Sequence, residues 1–455
     1  MKKLIAITVM IALCVAAAFA DTTISGAVET RLNVYQITLG NHGEDYDGGH
    51  PKAQTGGSIG TAYIQLANTN SEGTAGGTLR LRATDIIPTT ASSDNFRWHK
   101  VFVWWKPIPQ VKIFLGQDAD GMFERGQLTS WAFHQGTEQY LVVHDWDFWR
   151  AIFPGNWDTF GLALSFYLVD GLELNLVVPT GTPGGWPRHQ NSALTRTSDW
   201  DKIYPGALQL TSSYQIGDIG KVHFAWIGSG EKYDKDTVNY GKIALSFFSS
   251  MIQGLQFQVG ASTDIQTSNK DIVSPGKLGT IATAPIYAGA AVHFSAGDFG
   301  VKWRLGTRIN TTELDLLNGT YEKDGGYFLT TNIMPTYKLG NVGTVCLDIG
   351  VSIDQGGKQI AYTDPSNSVA VPGKSKAPDA NIGFWVNPYL KKNINSGGYF
   401  QTGIMILSSI GGGQGGSHNV DAPSKPVLKA DGTVITPGSG LKPRVYIPIV
   451  MGISF

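Results

Sequence analysis

From Leu441 to Phe455 the chain alternates strictly. Val445, Ile447, Ile449, Met451, Ile453 and Phe455 take every second position, and Tyr446, Pro448, Val450, Gly452 and Ser454 fill the gaps. A period of two places one set on each face of a β-strand. One face is then hydrocarbon, and the other is small or mildly polar. The plainest repeat of this pattern is Thr78–Asp85, where Leu79, Leu81 and Ala83 oppose Arg80, Arg82 and Thr84. Near the start, Ile24, Val28, Leu32 and Val34 share one parity, and Ser25, Glu29, Arg31 and Asn33 share the other. In Phe299–Arg308 the basic side chains Lys302, Arg304 and Arg308 oppose Phe299, Val301, Trp303 and Leu305.

Read this way, the sequence predicts strands over 22–34, 58–68, 78–85, 96–106, 111–116, 159–169, 172–178, 207–216, 219–227, 240–248, 255–262, 286–294, 299–308, 327–337, 342–353, 382–390, 399–407 and the closing 441–455. The segment 96–106 is unusual in carrying large residues at both parities. Its Trp104 and Trp105 fall at the base of a hairpin, where an aromatic girdle is expected. Short turns such as Asp170-Gly171, Gly217-Asp218 and Leu339-Gly340-Asn341 alternate with long polar stretches over 40–57, 117–157, 180–205, 265–279, 354–380 and 409–441. The count is about 18 strands, with 16 as the alternative, and it is even. An even count returns Phe455 to the end where Asp21 began. No long segment has helical spacing.

Composition narrows the class. Lys2 and Lys3 precede an apolar run from Leu4 to about Val15 and then Ala16-Ala17-Ala18-Phe19-Ala20. That is a secretory leader with a small-residue cleavage site, so residues 1–20 are expected to be removed and 21–455 to form one domain. Beyond the leader only Cys346 remains, so no intramolecular disulfide is available. No later run is apolar enough for a transmembrane helix. With 57 glycines, 16% charged residues and a formal net charge of −1, the chain does not suggest a nucleic-acid partner.

Apolar faces with no helices to cover them imply either a sandwich or a sheet in lipid. In lipid no backbone group can stay unpaired, so the sheet must close. About 18 strands enclose a lumen that wall side chains cannot fill. On the leader, the alternation, the short-turn and long-loop asymmetry and the terminal Phe455, the chain resembles bacterial outer-membrane porins. The resemblance implies an all-β, transmembrane, antiparallel up-and-down β-barrel with periplasmic turns and extracellular loops. It implies passive diffusion of small hydrophilic solutes, an outer-membrane location with lipid and lipopolysaccharide as neighbours, and homotrimers. It also implies that Phe455 is read by the barrel-insertion machinery. A sugar-selective channel is one alternative, with Trp131, Trp146, Trp149, Trp157, Trp186 and Trp200 stacking on sugar rings; a secreted lectin or adhesin is another.

The same resemblance makes 117–157 a candidate constriction loop. Its Asp118, Asp120 and Glu124 would face Arg31, Arg80 and Arg82 on the wall and set up a transverse field. Lys302, Arg304 and Arg308 form a second basic set on the lumen parity. No nucleophile elbow, metalloprotease or phosphate-loop motif stands out, so no enzyme activity and no cofactor are expected. The acidic and histidine cluster between Asn41 and His50 matches no calcium-loop pattern, so no metal site is expected.

Overall fold

The computed structural model describes residues 20–38, 53–86, 96–118, 152, 160–179, 208–233, 236–266, 286–309, 313–314, 321–322, 327–355, 362–363, 370–371, 381–394, 397–410 and 444–455. The main sheet holds β1 (Ala20–Thr38), β2 (Ala53–Asn70), β3 (Ala75–Ile86), β4 (Phe96–Ile108), β5 (Val111–Asp118), β6 (Phe160–Phe166), β7 (Leu172–Pro179), β8 (Gln209–Ile216) and β9 (Gly220–Tyr233). It continues through β10 (Asp236–Ser249), β11 (Leu255–Gln266), β12 (Ile286–Ala296), β13 (Phe299–Ile309), β14 (Tyr327–Lys338), β15 (Thr344–Gln355) and β16 (Asn381–Ile394). Then come β17, in two pieces (Gly398–Gly403 and Met405–Ile410), and β18 (Arg444–Ser454). Each strand pairs antiparallel with its neighbours in sequence, and β1 pairs with β18. The result is a closed barrel of 18 strands. Two two-residue hairpins, Glu313–Leu314 with Tyr321–Glu322 and Tyr362–Thr363 with Ala370–Val371, lie outside it.

β17 is split for a chemical reason. Ile404 donates its N–H to the Pro388 carbonyl on β16 at 3.0 Å. Proline has no N–H to return the bond, so the ladder lapses at that rung.

The seam closes at Gly26. Its N–H reaches the Phe455 carbonyl at 2.8 Å, and the Phe455 N–H reaches the Gly26 carbonyl at 3.0 Å. The Phe455 ring lies where a Cβ on Gly26 would be. Glycine is required here so that the last ring can lie flat over the first strand. In register, Asp21 stands beside Thr69 and Ser454 beside Ala27, so both ends lie at the rim that carries the short turns, as the even count predicts.

Burial is inverted relative to a soluble protein. Along β15, Cys346, Asp348, Gly350 and Ser352 are buried, while Val345 and Ile349 are exposed. Around the ring the buried polar set includes Ser165, Asn175, Gln209, Gln258, Arg304, Asn332, Asp348, Asn387 and Gln401. The exposed apolar set includes Ile24, Val103, Leu115, Leu245, Val259, Ile333, Met451 and Ile453. Leu79 pairs with Val101, on the parity of exposed Val103, and Leu81 pairs with exposed Ile64. Ile447 and Ile449 share the parity of exposed Met451. All four therefore stand on the perimeter parity, Leu79 itself being buried there. Hydrocarbon outside and polar groups inside fit a sheet immersed in lipid around a wet bore.

β4 departs from the simple pattern. Its register runs Arg80 to Lys100 and then Leu81 to Trp98, so His99 is an extra, bulged residue. The bulge shifts parity in mid-strand, which is why large residues occur on both. One expectation about the hairpin base is corrected by simple alternation. Trp105 faces out at the short-turn rim, with Tyr214, Phe294, Phe299 and Tyr337 exposed near the same rim. Trp104 instead faces in, packed with Phe102 against Phe114, Ala163 and Val177.

Candidate functional site: the lumen wall

The bore is built from every second residue of the barrel strands. On β3, Arg80 and Arg82 point inward, as the alternation predicts. Arg80 donates from Nε to Gln65 Oε1 at 2.7 Å, and its guanidinium lies 4.5 Å from the Tyr63 ring. Arg82 Nη1 lies 2.8 Å from Nε2 of the bulged His99. Far around the ring, Lys302, Arg304 and Arg308 line β13. Arg304 Nε donates to Asn332 Oδ1 at 2.6 Å, and Asn332 Nδ2 donates to Asp348 Oδ1 at 2.8 Å. These three buried side chains tie β13, β14 and β15 together.

Several inward cations rest on aromatic faces. Lys112 Nζ lies 4.4 Å from both the Trp104 and Phe114 rings. Lys242 lies 4.4 Å from Tyr287, and Lys391 lies 4.9 Å from Tyr399. The Tyr399 hydroxyl in turn donates to Glu29. Such contacts contribute about 0.5–2 kcal/mol each and hold long side chains along the wall. Among residues whose side chains are described, Arg80, Arg82, Lys100, Lys112, Lys221, Lys242, Lys302, Arg304, Arg308 and Lys391 hold inward positions. Among the same residues, Glu29, Glu173 and Asp348 are the carboxylates on that face, and Asp118, Asp264 and Asp354 hold positions in register with inward residues. Over these described side chains the wall is electropositive.

The predicted site residues are placed unequally. Arg80 and Arg82 sit side by side on one wall, and Lys302, Arg304 and Arg308 sit on a separate one. Arg31 holds a β1 position in register with Val450 and Ser58. Asp118 was expected in the loop but is the last residue of β5, in register with Lys100. Asp120 and Glu124 lie outside the described residues, as do Trp131, Trp146, Trp149, Trp157, Trp186, Trp200, the Asn41–His50 cluster and the leader up to Phe19. Lys112, Lys242, Lys391 and Asp348 were not singled out from sequence, although each stands on the inward parity of its own strand.

A closed antiparallel barrel with a hydrocarbon perimeter and a polar bore defines the class as a transmembrane β-barrel. No family model matches the chain, and no curated protein matches it. Its fold is similar to solved structures of bacterial outer-membrane proteins. OpdQ of Pseudomonas aeruginosa matches at 10% identity and a TM-score of 0.46, over 95% of this chain and 98% of that one. OmpF of Salmonella typhi, in complex with daunomycin, matches at 9% identity and 0.43, over 96% and 98%. The anion-selective porin from Comamonas acidovorans matches at 10% and 0.39, over 96% and 100%. The likeness is one of architecture.

Proposed function

We propose that the protein is a porin of the bacterial outer membrane, passing small hydrophilic solutes down their gradients through a water-filled bore. The observation that carries this reading is the inversion of burial around a closed ring of 18 strands. A secreted lectin or adhesin would set its polar face outward in water. Here Asn387 and Gln401 are turned inward while Leu245 and Val259 are turned out. Inward amides of this kind need hydrogen-bonding partners, and a wet lumen provides them.

The stretch 117–157 is proposed to narrow the bore. Ile152, the described residue within its 119–151 and 153–159 surroundings, has 0% exposure, which a residue standing out in water would not have. Asp118 also ends β5 next to Lys100 in register, at the start of that stretch. An acidic segment opposite Arg80 and Arg82 would set a field across the narrow point. Phe455, bonded to Gly26, is proposed as the residue the insertion machinery reads.

Single-channel recording of refolded protein in a planar bilayer tests the pore. Discrete, long-lived conductance steps are expected; folded protein that never conducts refutes the reading. Asp118→Asn with Glu124→Gln is expected to alter ion preference with conductance retained, and unchanged preference removes the constriction role.

A further inference from the structure

β14, β16 and β18 carry Pro335, Pro388 and Pro448 inside strands that are paired on both sides, although proline in a sheet is ordinarily confined to edges and bulges. Register brings the three to one level. Ile333 pairs with Ile349 and Thr336 with Cys346, which sets Pro335 opposite Leu347. Leu347 pairs with Pro388, and Ile404 bonds to Pro388. Thr402 pairs with Ile449 and Met405 with Tyr446, which sets Gly403 opposite Pro448. Backbone direction makes each proline a gap. Leu339 gives its N–H to Gly343, so Pro335, on the same parity, also faces β15. Ile404 faces β16, so Gly403 faces β18. The carbonyls of Leu347, Ile404 and Gly403 therefore meet prolines and receive no ladder N–H. The β1–β18 register slips at the same place, between Asn33 and Tyr35, with Asn33 opposite Pro448. Carbonyls without donors are costly in hydrocarbon, and positions that break local rules in this way gather at functional sites.

The wall is apolar on both faces of this break. Outside, Pro388 and Ile404 are exposed toward lipid. Inside, Cys346, Tyr389, Gly403 and Pro448 follow one another along a single rung, and Met334 packs against Cys346 and Tyr389. Gly403 leaves that rung without a side chain between Tyr389 and Pro448. The next inward rung toward the long loops is polar, with Asp348 beside Asn387, so the apolar strip leads only toward the short turns. There it meets a cavity of about 600 Å³, a size usual for small-molecule sites. Met334, Cys346 and Tyr389 form the apolar part of its lining, and Lys338, Asn341 and Asn393 line it near the turns. A polar solute has no reason to cross such a strip, whereas a hydrocarbon chain stays in apolar surroundings from bilayer to cavity. We infer that β14 to β18 form a side port through which the acyl chain of a single-chain amphiphile passes from the surrounding bilayer into this cavity. The chain lies along the Cys346–Tyr389 rung and the head group lies toward Asn341 and Asn393. The port goes beyond the porin reading and needs no conductance.

The test uses refolded full-length protein in phospholipid vesicles and, as the probe, a monoacylglycerol with a photoreactive diazirine in its chain. Peptide mapping after irradiation reads which residues carry adducts. Outward Leu245 and Ile404 report contact with lipid wherever the barrel has folded. Adducts are also expected on inward Met334, Tyr389 and Met405, and none on Trp104 and Phe114, an inward apolar pair elsewhere on the wall. Pro335→Ala, Pro388→Ala and Pro448→Ala together return three N–H donors to the ladder. That triple variant should cut the inward adducts at least about tenfold and leave the outward ones unchanged. Pro179→Ala, at the end of β7, should change neither. Should the triple variant fail to reach the heat-modifiable form, Pro388→Ala alone is expected to cut the inward adducts about threefold. Inward adducts that are absent from the wild type, equally strong at Trp104 and Phe114, or untouched by the proline variants overturn the port; the last two results mean entry through the mouth of the bore.

Discussion

Replacing Ile349 with arginine separates a lipid-facing strand from one in water. Ile349 is 40% exposed on the outer face of β15, flanked in register by Ile333 and Val386. Val345 lies on the same face, four residues nearer the Leu339–Gly343 turn. Four residues at about 3.4 Å each, on a strand tilted by about 40°, span roughly 10 Å of depth. In an apolar band about 25 Å tall, Val345 then sits near the interface and Ile349 near the midplane. Arginine at the midplane costs about 2–4 kcal/mol, falling to about 0–1 near the interface. Ile349→Arg should therefore lower the folding constant roughly thirty- to thousandfold, and Val345→Arg by less than about tenfold. Urea unfolding in phospholipid vesicles, followed by tryptophan fluorescence and heat-modifiable gel mobility, measures both. A soluble protein predicts the opposite, because removing an exposed isoleucine there costs nothing. Equal effects at the two sites, or none at Ile349, would refute the assignment of this face to lipid.

Two further changes test the seam and the wall. Gly26→Val places a side chain where the Phe455 ring lies; it should cost about 1–3 kcal/mol and slow conversion to the heat-modifiable form, measured by gel mobility over time. Asp348→Ala strands the Asn332 amide in a buried site and should cost about 1–3 kcal/mol, whereas Asp348→Asn keeps an acceptor and should spare stability. Both Asp348 variants remove a wall carboxylate, so the reversal potential in a salt gradient should move toward stronger anion preference.

The sequence marked every barrel strand because a membrane barrel needs hydrocarbon at alternate positions wherever it crosses lipid. The signal ended where lipid ends. β1 runs to Thr38 and β2 begins at Ala53, both past the expected limits at 34 and 58. Gln36 and Gln54 belong to no apolar alternation, yet their backbones still pair. The β4 bulge was hidden for a different reason. Nothing in the local residues announces that His99 is inserted between the residues opposite Arg80 and Leu81, whereas Trp104 and Trp105, as neighbours on one strand, face opposite sides, so only one of them can join an outer girdle. The inward direction of the cations was legible, but their gathering was not. Lys302, Lys338 and Lys391 come together through ring order and strand ends, and parity within a single segment carries neither.

Register also orders the basic residues along the bore. From the short-turn rim, Lys302 stands level with His293, Arg304 with Ala291, and Arg308 with Tyr287. Tyr287 is level with Ser262, Ser262 with Ala244, and Lys242 lies one inward step beyond. Neighbouring inward residues on one strand are about 7 Å apart, inside the Debye length of about 8 Å at physiological salt. The potentials of Lys302 and Arg304 therefore overlap, whereas Arg304 and Arg308 stand two inward steps, about 14 Å, apart and are largely screened from each other. Among the carboxylates with described side chains in this region, Asp348 is coupled through Asn332 to Arg304, and Asp264 holds the position in register with Lys242. That coupling offsets charge at one rung of the series and leaves Lys302 the stronger attractor. A series that is weakened partway along should hold an anion longest at its rim end, where Lys302 stands level with His293.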